Sequence, residues 1–97
     1  MRERTIWKYE FPVVGEFTLQ LPHEAKIIYV GVQYGKPHMW VLVDPTEELT
    51  EYQFIVKGTG RPILTDMCLS HIGTFQLDDI DGGILVLHVF EVYEIPF

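Results

Sequence analysis

Residues 25–44, AKIIYVGVQYGKPHMWVLVD, decide the fold. They read as two strands joined by a tight turn at Tyr34-Gly35-Lys36-Pro37. On the first arm, period-two alternation places Ile28, Val30 and Val32 on one face and Ile27, Tyr29 and Gly31 on the other. The second arm sets Met39, Val41 and Val43 against His38, Trp40 and Leu42. Apolar groups on both faces mark strands that are covered on both sides. Asp44-Pro45 stops the second arm, because proline donates no ladder hydrogen bond and restricts the residue before it.

Working outward, further strands are expected around this hairpin. Thr5–Phe11 (TIWKYEF) alternates with Trp7, Tyr9 and Phe11 on one side, and Glu16–Leu21 (EFTLQL) turns Phe17, Leu19 and Leu21 inward. With Pro12 and Gly15 between them, these two segments read as a first hairpin. Residues 46–49 fit either one helical turn or an acidic loop, and Thr50–Lys57 returns to strand until Gly58-Thr59-Gly60-Arg61-Pro62 ends it. Residues 63–72, ILTDMCLSHI, space their apolar groups almost as a helix does, so a short helix and an irregular connection are both compatible. A short strand is expected at Gly73–Leu77, then turn chemistry at Asp78–Gly83. The last strand, Ile84–Tyr93, is apolar on both faces except for His88 and Glu91. It is expected at the centre of a sheet or under a subunit partner, with Val86 and Trp40 in the core. The fold class is therefore all-β: one domain, 1–97, built as a small antiparallel sandwich or open barrel of six to seven strands, with room for one short helix at 63–72.

Composition narrows the function classes. The chain has 97 residues, 47% of them hydrophobic, and a net charge of −7, which suits a folded domain and disfavours binding to a nucleic-acid backbone. One cysteine, Cys68, excludes an internal disulfide and fits a reducing compartment. MRERTIWKYE has no apolar run behind its charges, and no segment approaches the roughly 20 apolar residues that span a bilayer. A location in the cytoplasm is expected, away from membrane and nucleic acid.

Several stretches together, IWKYEF, LPHEAKII, VGVQYGKP, MWVLVDP, FIVKGTGRPI, GTFQ and VLHVFEVYE, resemble a group of small proteins encoded by phages and bacterial prophages. The resemblance covers almost the whole chain, and MWVLVDP and GTG are its most specific parts. Its pattern often carries glycine where this chain has Glu24. The resemblance implies a phage-associated setting, hence a host cytoplasm, and brings no established activity with it.

The strongest candidate site is Gly58-Thr59-Gly60-Arg61. Two glycines let backbone approach a ligand, their N–H groups can form an anion-binding concavity, and Arg61 can clamp a phosphate or carboxylate. The plain alternative is that the glycines permit positive φ at a strand end. The lysine and following helix of a P-loop are missing. Trp40, His38 and Phe75 complete the candidate ligand-binding set, since thirteen aromatics are generous for so small a core. No catalytic set, metal site or cofactor is assigned. Four histidines lack structural-zinc spacing, and the least weak pair, Cys68 and His71, would meet only on a helical turn. Asp78–Gly83 lacks the glutamate of a calcium loop. The expectation is a non-enzymatic binding protein that holds a small anionic, nucleotide-like ligand or inhibits a host protein. The doubly apolar last strand adds the expectation of a homo-oligomer, with a structural virion component and a small hydrolase or metal-dependent enzyme as the alternatives.

Overall fold

A computed structural model describes residues 2–93. Its seven strands are β1 (Thr5–Glu10), β2 (Gly15–Pro22), β3 (Lys26–Gln33), β4 (Lys36–Val43), β5 (Leu49–Gly58), β6 (Cys68–Asp78) and β7 (Ile84–Tyr93). A three-stranded sheet runs β1-β4-β3 and a four-stranded sheet runs β2-β5-β7-β6, all antiparallel. The sheets share no hydrogen-bonded strand pair, so the architecture is an open sandwich and not a barrel.

The central hairpin forms as expected, with its turn slightly earlier. Gln33 pairs with Lys36 around Tyr34 (φ 54) and Gly35 (φ 73). Two consecutive positive φ values make a type I′ turn, whose twist matches that of the strands. Lys36 and Pro37 already belong to β4. On β4 the alternation holds, and Met39, Val41 and Val43 are at most 1% exposed.

On β3 it does not hold. A bulge between Ile27 and Tyr29 resets the phase, so Ile27 pairs with Val41 and Val30 with Met39 on the same, core-facing side. Tyr29 is thereby turned outward opposite Trp40. One inserted residue flips every side chain beyond it, which alternation alone does not reveal.

Three further expectations are corrected. The segments read as a first hairpin do not pair with each other: β1 pairs with β4 and β2 with β5, in different sheets. The link between them crosses the sandwich, and Phe11 anchors the crossing, stacked on Phe17 at 5.3 Å and edge-on to Phe75 at 5.5 Å. No helix forms at 63–72. Cys68–Asp78 is an 11-residue strand that absorbs the expected short one, with a second bulge between His71 and Gly73, while Ile63, Leu64 and Met67 lie in the connection before it. Cys68 and His71, three apart on that strand, project to opposite faces. Trp40 and Val86 are half-buried on outer faces, Val86 opposite Gln76, while Val89 is the fully buried residue of β7.

β7 does lie inside its sheet, between β5 and β6. Residues 44–47 form a turn, with the Glu47 N–H donating to the Asp44 carbonyl at 3.1 Å. The Asp44 carboxylate accepts from the Thr46 N–H at 2.9 Å and from its hydroxyl at 2.6 Å, which is how Asp-Pro-Thr stops β4. The core joins Met39, Val41 and Val43 to Phe54, Val56 and Val89 from the facing sheet.

A candidate ligand cleft

Gly58–Arg61 is a β-turn that ends β5. The Arg61 N–H donates to the Gly58 carbonyl at 3.1 Å, and Gly60 takes φ +87 at the third position, where a type II turn requires it. The Thr59 N–H donates to the Val86 carbonyl at 3.2 Å. Two of the turn's N–H groups are thus committed inside the protein, so the turn does not present the backbone concavity its glycines suggest.

It presents side chains instead. Arg61 Cγ lies 3.7 Å from where a Cβ on Gly58 would stand, so the arginine stem runs over the end of β5. Arg61 and Lys57 border a cleft of about 370 Å³ between β2, β5 and the turn. Val14, Ile55 and Pro62 supply apolar wall, and Glu16 is the carboxylate at its rim. Neither Lys57 nor Arg61 makes an ion pair among the described residues. The cleft therefore combines an apolar floor with two cations that have no ion-pair partner among the described residues.

On the neighbouring side of β5 a chain of polar side chains crosses the sheet. Lys57, His88 and Thr74 occupy one register row of β5, β7 and β6. Thr59 Oγ1 is 2.7 Å from His88 Nε2, Thr74 Oγ1 is 2.9 Å from His88 Nδ1, and His71 Nε2 is 3.0 Å from Thr74 Oγ1. One proton arrangement satisfies every member. His71 Nε2–H donates to Thr74, the Thr74 hydroxyl to His88 Nδ1, His88 Nε2–H to Thr59, and the Thr59 hydroxyl to the Val86 carbonyl at 3.3 Å. The chain braces the turn against β7 and so fixes where Arg61 leaves it. Sequence reasoning marked Thr59 and His88 separately and did not join them, because 29 residues separate them. Their only sequence signal was polarity at outward positions of strands whose pairing was unknown.

The candidate ligand-binding set is divided by the fold. Gly58, Thr59, Gly60 and Arg61 stand together at the turn, with Gly58 and Arg61 on the cleft. Phe75 is 4% exposed in the core. His38 and Trp40 lie on the outer face of the other sheet, where His38 Nδ1–H donates to the Lys36 carbonyl at 2.9 Å and Trp40 packs on Tyr29, ring centres 5.5 Å apart. Among the described residues no aromatic ring borders the cleft.

Two carboxylates away from the cleft are perturbed. Burial raises that of Glu91, which stands on the inner row opposite Phe54, and a hydrogen bond from Tyr93 offsets this in part. The Thr46 hydrogen bonds, followed by Arg2, hold Asp44 below its ordinary value. Among the described residues no three His, Cys, Asp or Glu side chains gather as a metal site, and no helix is long and apolar enough to cross a membrane.

By fold and by cleft the chain is an all-β sandwich with a small, cation-bordered recess at the end of one sheet. It belongs to the family described as a domain of unknown function, DUF7352, which matches residues 2–96. No curated protein and no solved structure matches the chain.

Proposed function

We propose that the protein is a binding module without chemistry of its own, which holds a small anionic ligand in the cleft between β2, β5 and the Gly58–Arg61 turn. The observation that supports this most directly is the pairing of Lys57 and Arg61, free of carboxylate partners among the described residues, over an apolar floor. In a chain of net charge −7, two unneutralised cations at one recess favour an anion there. Charge-assisted hydrogen bonds to a phosphate or carboxylate contribute roughly 1.5–3 kcal/mol each when shielded from water. Nucleotide-like ligands remain in the class, bound through phosphate and sugar and not by stacking, since no ring of the described residues borders the cleft. The resemblance to phage and prophage proteins supports a setting in an infected cell, where holding such a ligand would withdraw it from the host.

The test is a thermal-shift and calorimetric screen of inorganic phosphate, nucleotides and phosphorylated metabolites. Wild type, Arg61→Ala, Arg61→Lys and Lys57→Ala are screened together. Arg61→Ala is expected to weaken binding at least about tenfold, or 1.4 kcal/mol, with the unliganded melting temperature unchanged. Arg61→Lys recovers only part, because an ammonium lacks the planar fork. No ligand-dependent shift in wild type, or an equal shift in Arg61→Ala, ends the case for this cleft.

A further inference from the structure

Among the described residues, none covers the outer face of the three-stranded sheet. Ile6, Ile28 and Tyr29 are 52%, 45% and 64% exposed there, beside half-buried Trp40. The Tyr29 ring lies across Gly31, where a Cβ would come within 2.7 Å of it, and these residues border a shallow apolar cleft of about 450 Å³. The strands around it are basic. They carry Lys8, Lys26 and Lys36 against Glu10 alone, whereas the four-stranded sheet carries Lys57 against Glu16, Glu51, Asp78 and Glu91. Lys36 stands 3.9 Å from Glu10 and Lys8 donates to Gln33 Oε1 at 2.8 Å, but Lys8 and Lys26 meet no carboxylate among the described residues. Such a face is complementary to an acidic partner with an apolar tip.

The chain carries that tip. The β6–β7 hairpin ends in Asp78-Asp79-Ile80-Asp81, with Ile80 at 101% exposure and Ile84 and Leu85 at 64% and 42%. The tip is ordered, since the Asp79 carboxylate accepts from the Ile80 N–H at 2.7 Å and the Gly82 N–H donates to the Asp79 carbonyl at 3.0 Å. An isoleucine held in water between three aspartates matches in shape and sign a recess bordered by isoleucines, rings and lysines.

We infer that the outer face of the three-stranded sheet takes the β6–β7 hairpin end of a second copy of this chain. Ile80 enters the recess beside Tyr29 and Trp40, and the aspartates meet Lys8 and Lys26. Each copy carries both halves, so two copies that exchange them close as a two-fold dimer. The contact is separate from the anion cleft and stands or falls without it.

Light scattering and sedimentation on three proteins decide it. Wild type is expected at twice the 11.3 kDa chain mass at high micromolar concentration. Ile80→Asp, which removes the plug, and Lys8→Glu/Lys26→Glu, which reverses the face, are each expected to dissociate at least tenfold more readily. All three positions are exposed, so both variants keep the wild-type fold, which circular dichroism checks. Mixed together, the two variants recover a heterodimer, because one intact plug then meets one intact face. A monomeric wild type, a dimer that survives either variant, or no recovery on mixing overturns the inference. Loss in the face variant alone shows two such faces meeting each other and overturns it equally.

Discussion

Gly73 on β6 and Val30 on β3 form a joint across the sandwich: a Cβ on Gly73 would lie 2.8 Å from the Val30 Cβ and 2.9 Å from its Cγ2. Glycine is required there by closeness, because the bulge at His71/Gly73 brings β6 against β3. Gly73→Ala is expected to cost about 1–3 kcal/mol, the range for overpacking a filled core. Val30→Gly in the same chain removes the atoms it would strike. The two changes are therefore expected to be less than additive in urea denaturation, and strict additivity would mean that the joint does not form.

Glu24 is the second position where backbone geometry meets sequence. It takes φ 65 in the connection between β2 and β3, and its side chain is exposed. That left-handed geometry costs an ordinary residue roughly 1–2 kcal/mol, part of which glycine gives back through the entropy of the unfolded chain. Glu24→Gly is expected to stabilise by about 0.5–1 kcal/mol. A lower denaturation midpoint in Glu24→Gly would refute this.

Val86 and Val89 separate the two faces of β7. Val89 is 0% exposed on the inner row, while Val86 is half-buried on the outer row opposite Gln76. Val89→Asp is expected to prevent folding, since an unpaired carboxylate in a dry core costs several kcal/mol. Val86→Asp is expected to yield a soluble protein with a cooperative melt at reduced temperature. The reverse pattern would show that the faces of β7 are exchanged, and equal behaviour that its two faces are equally buried.

Glu91 and Asp44 give opposite pH dependences. The Glu91 carboxyl is raised by burial, so its contribution is present below the ordinary carboxylate value and is lost as pH rises through its raised folded value. Glu91→Gln is expected to melt higher than wild type at neutral pH, with the gain vanishing in acid. Asp44 is lowered by Thr46, so its contribution is present above the ordinary value and lost as pH falls through the lowered one. Thr46→Ala is expected to melt below wild type at neutral pH and to converge with it in acid. A Glu91→Gln protein that melts below wild type at neutral pH would contradict the first assignment, and a Thr46→Ala protein that melts above it would contradict the second.

Local chemistry carried the strands and their stops. Met39, Val41 and Val43 point inward because period two is a property of any extended chain, and Tyr34-Gly35 and Asp44-Pro45-Thr46 make their turns from adjacent residues. The inner position of β7 was legible too, since a long strand with apolar groups on both faces is ill suited to a sheet edge, although only its inner face is covered by the other sheet.

Partner choice was decided only by tertiary structure. Closing a longer loop costs little more than closing a short one, so β1 bypasses β2 for β4 when packing Phe11 between the sheets buries more. The two bulges reset the faces that strict alternation assigns, setting Ile27 inward and Tyr29 outward on β3 and shifting the register of β6 after His71. Lys57 and Arg61 were each visible as residues, but the cleft they share, and the Thr59–His88 bond that braces it, exist only through register between strands far apart in the chain. Side-chain pairing across a sheet depends on which strands meet and in what phase, and that is settled by the whole core at once.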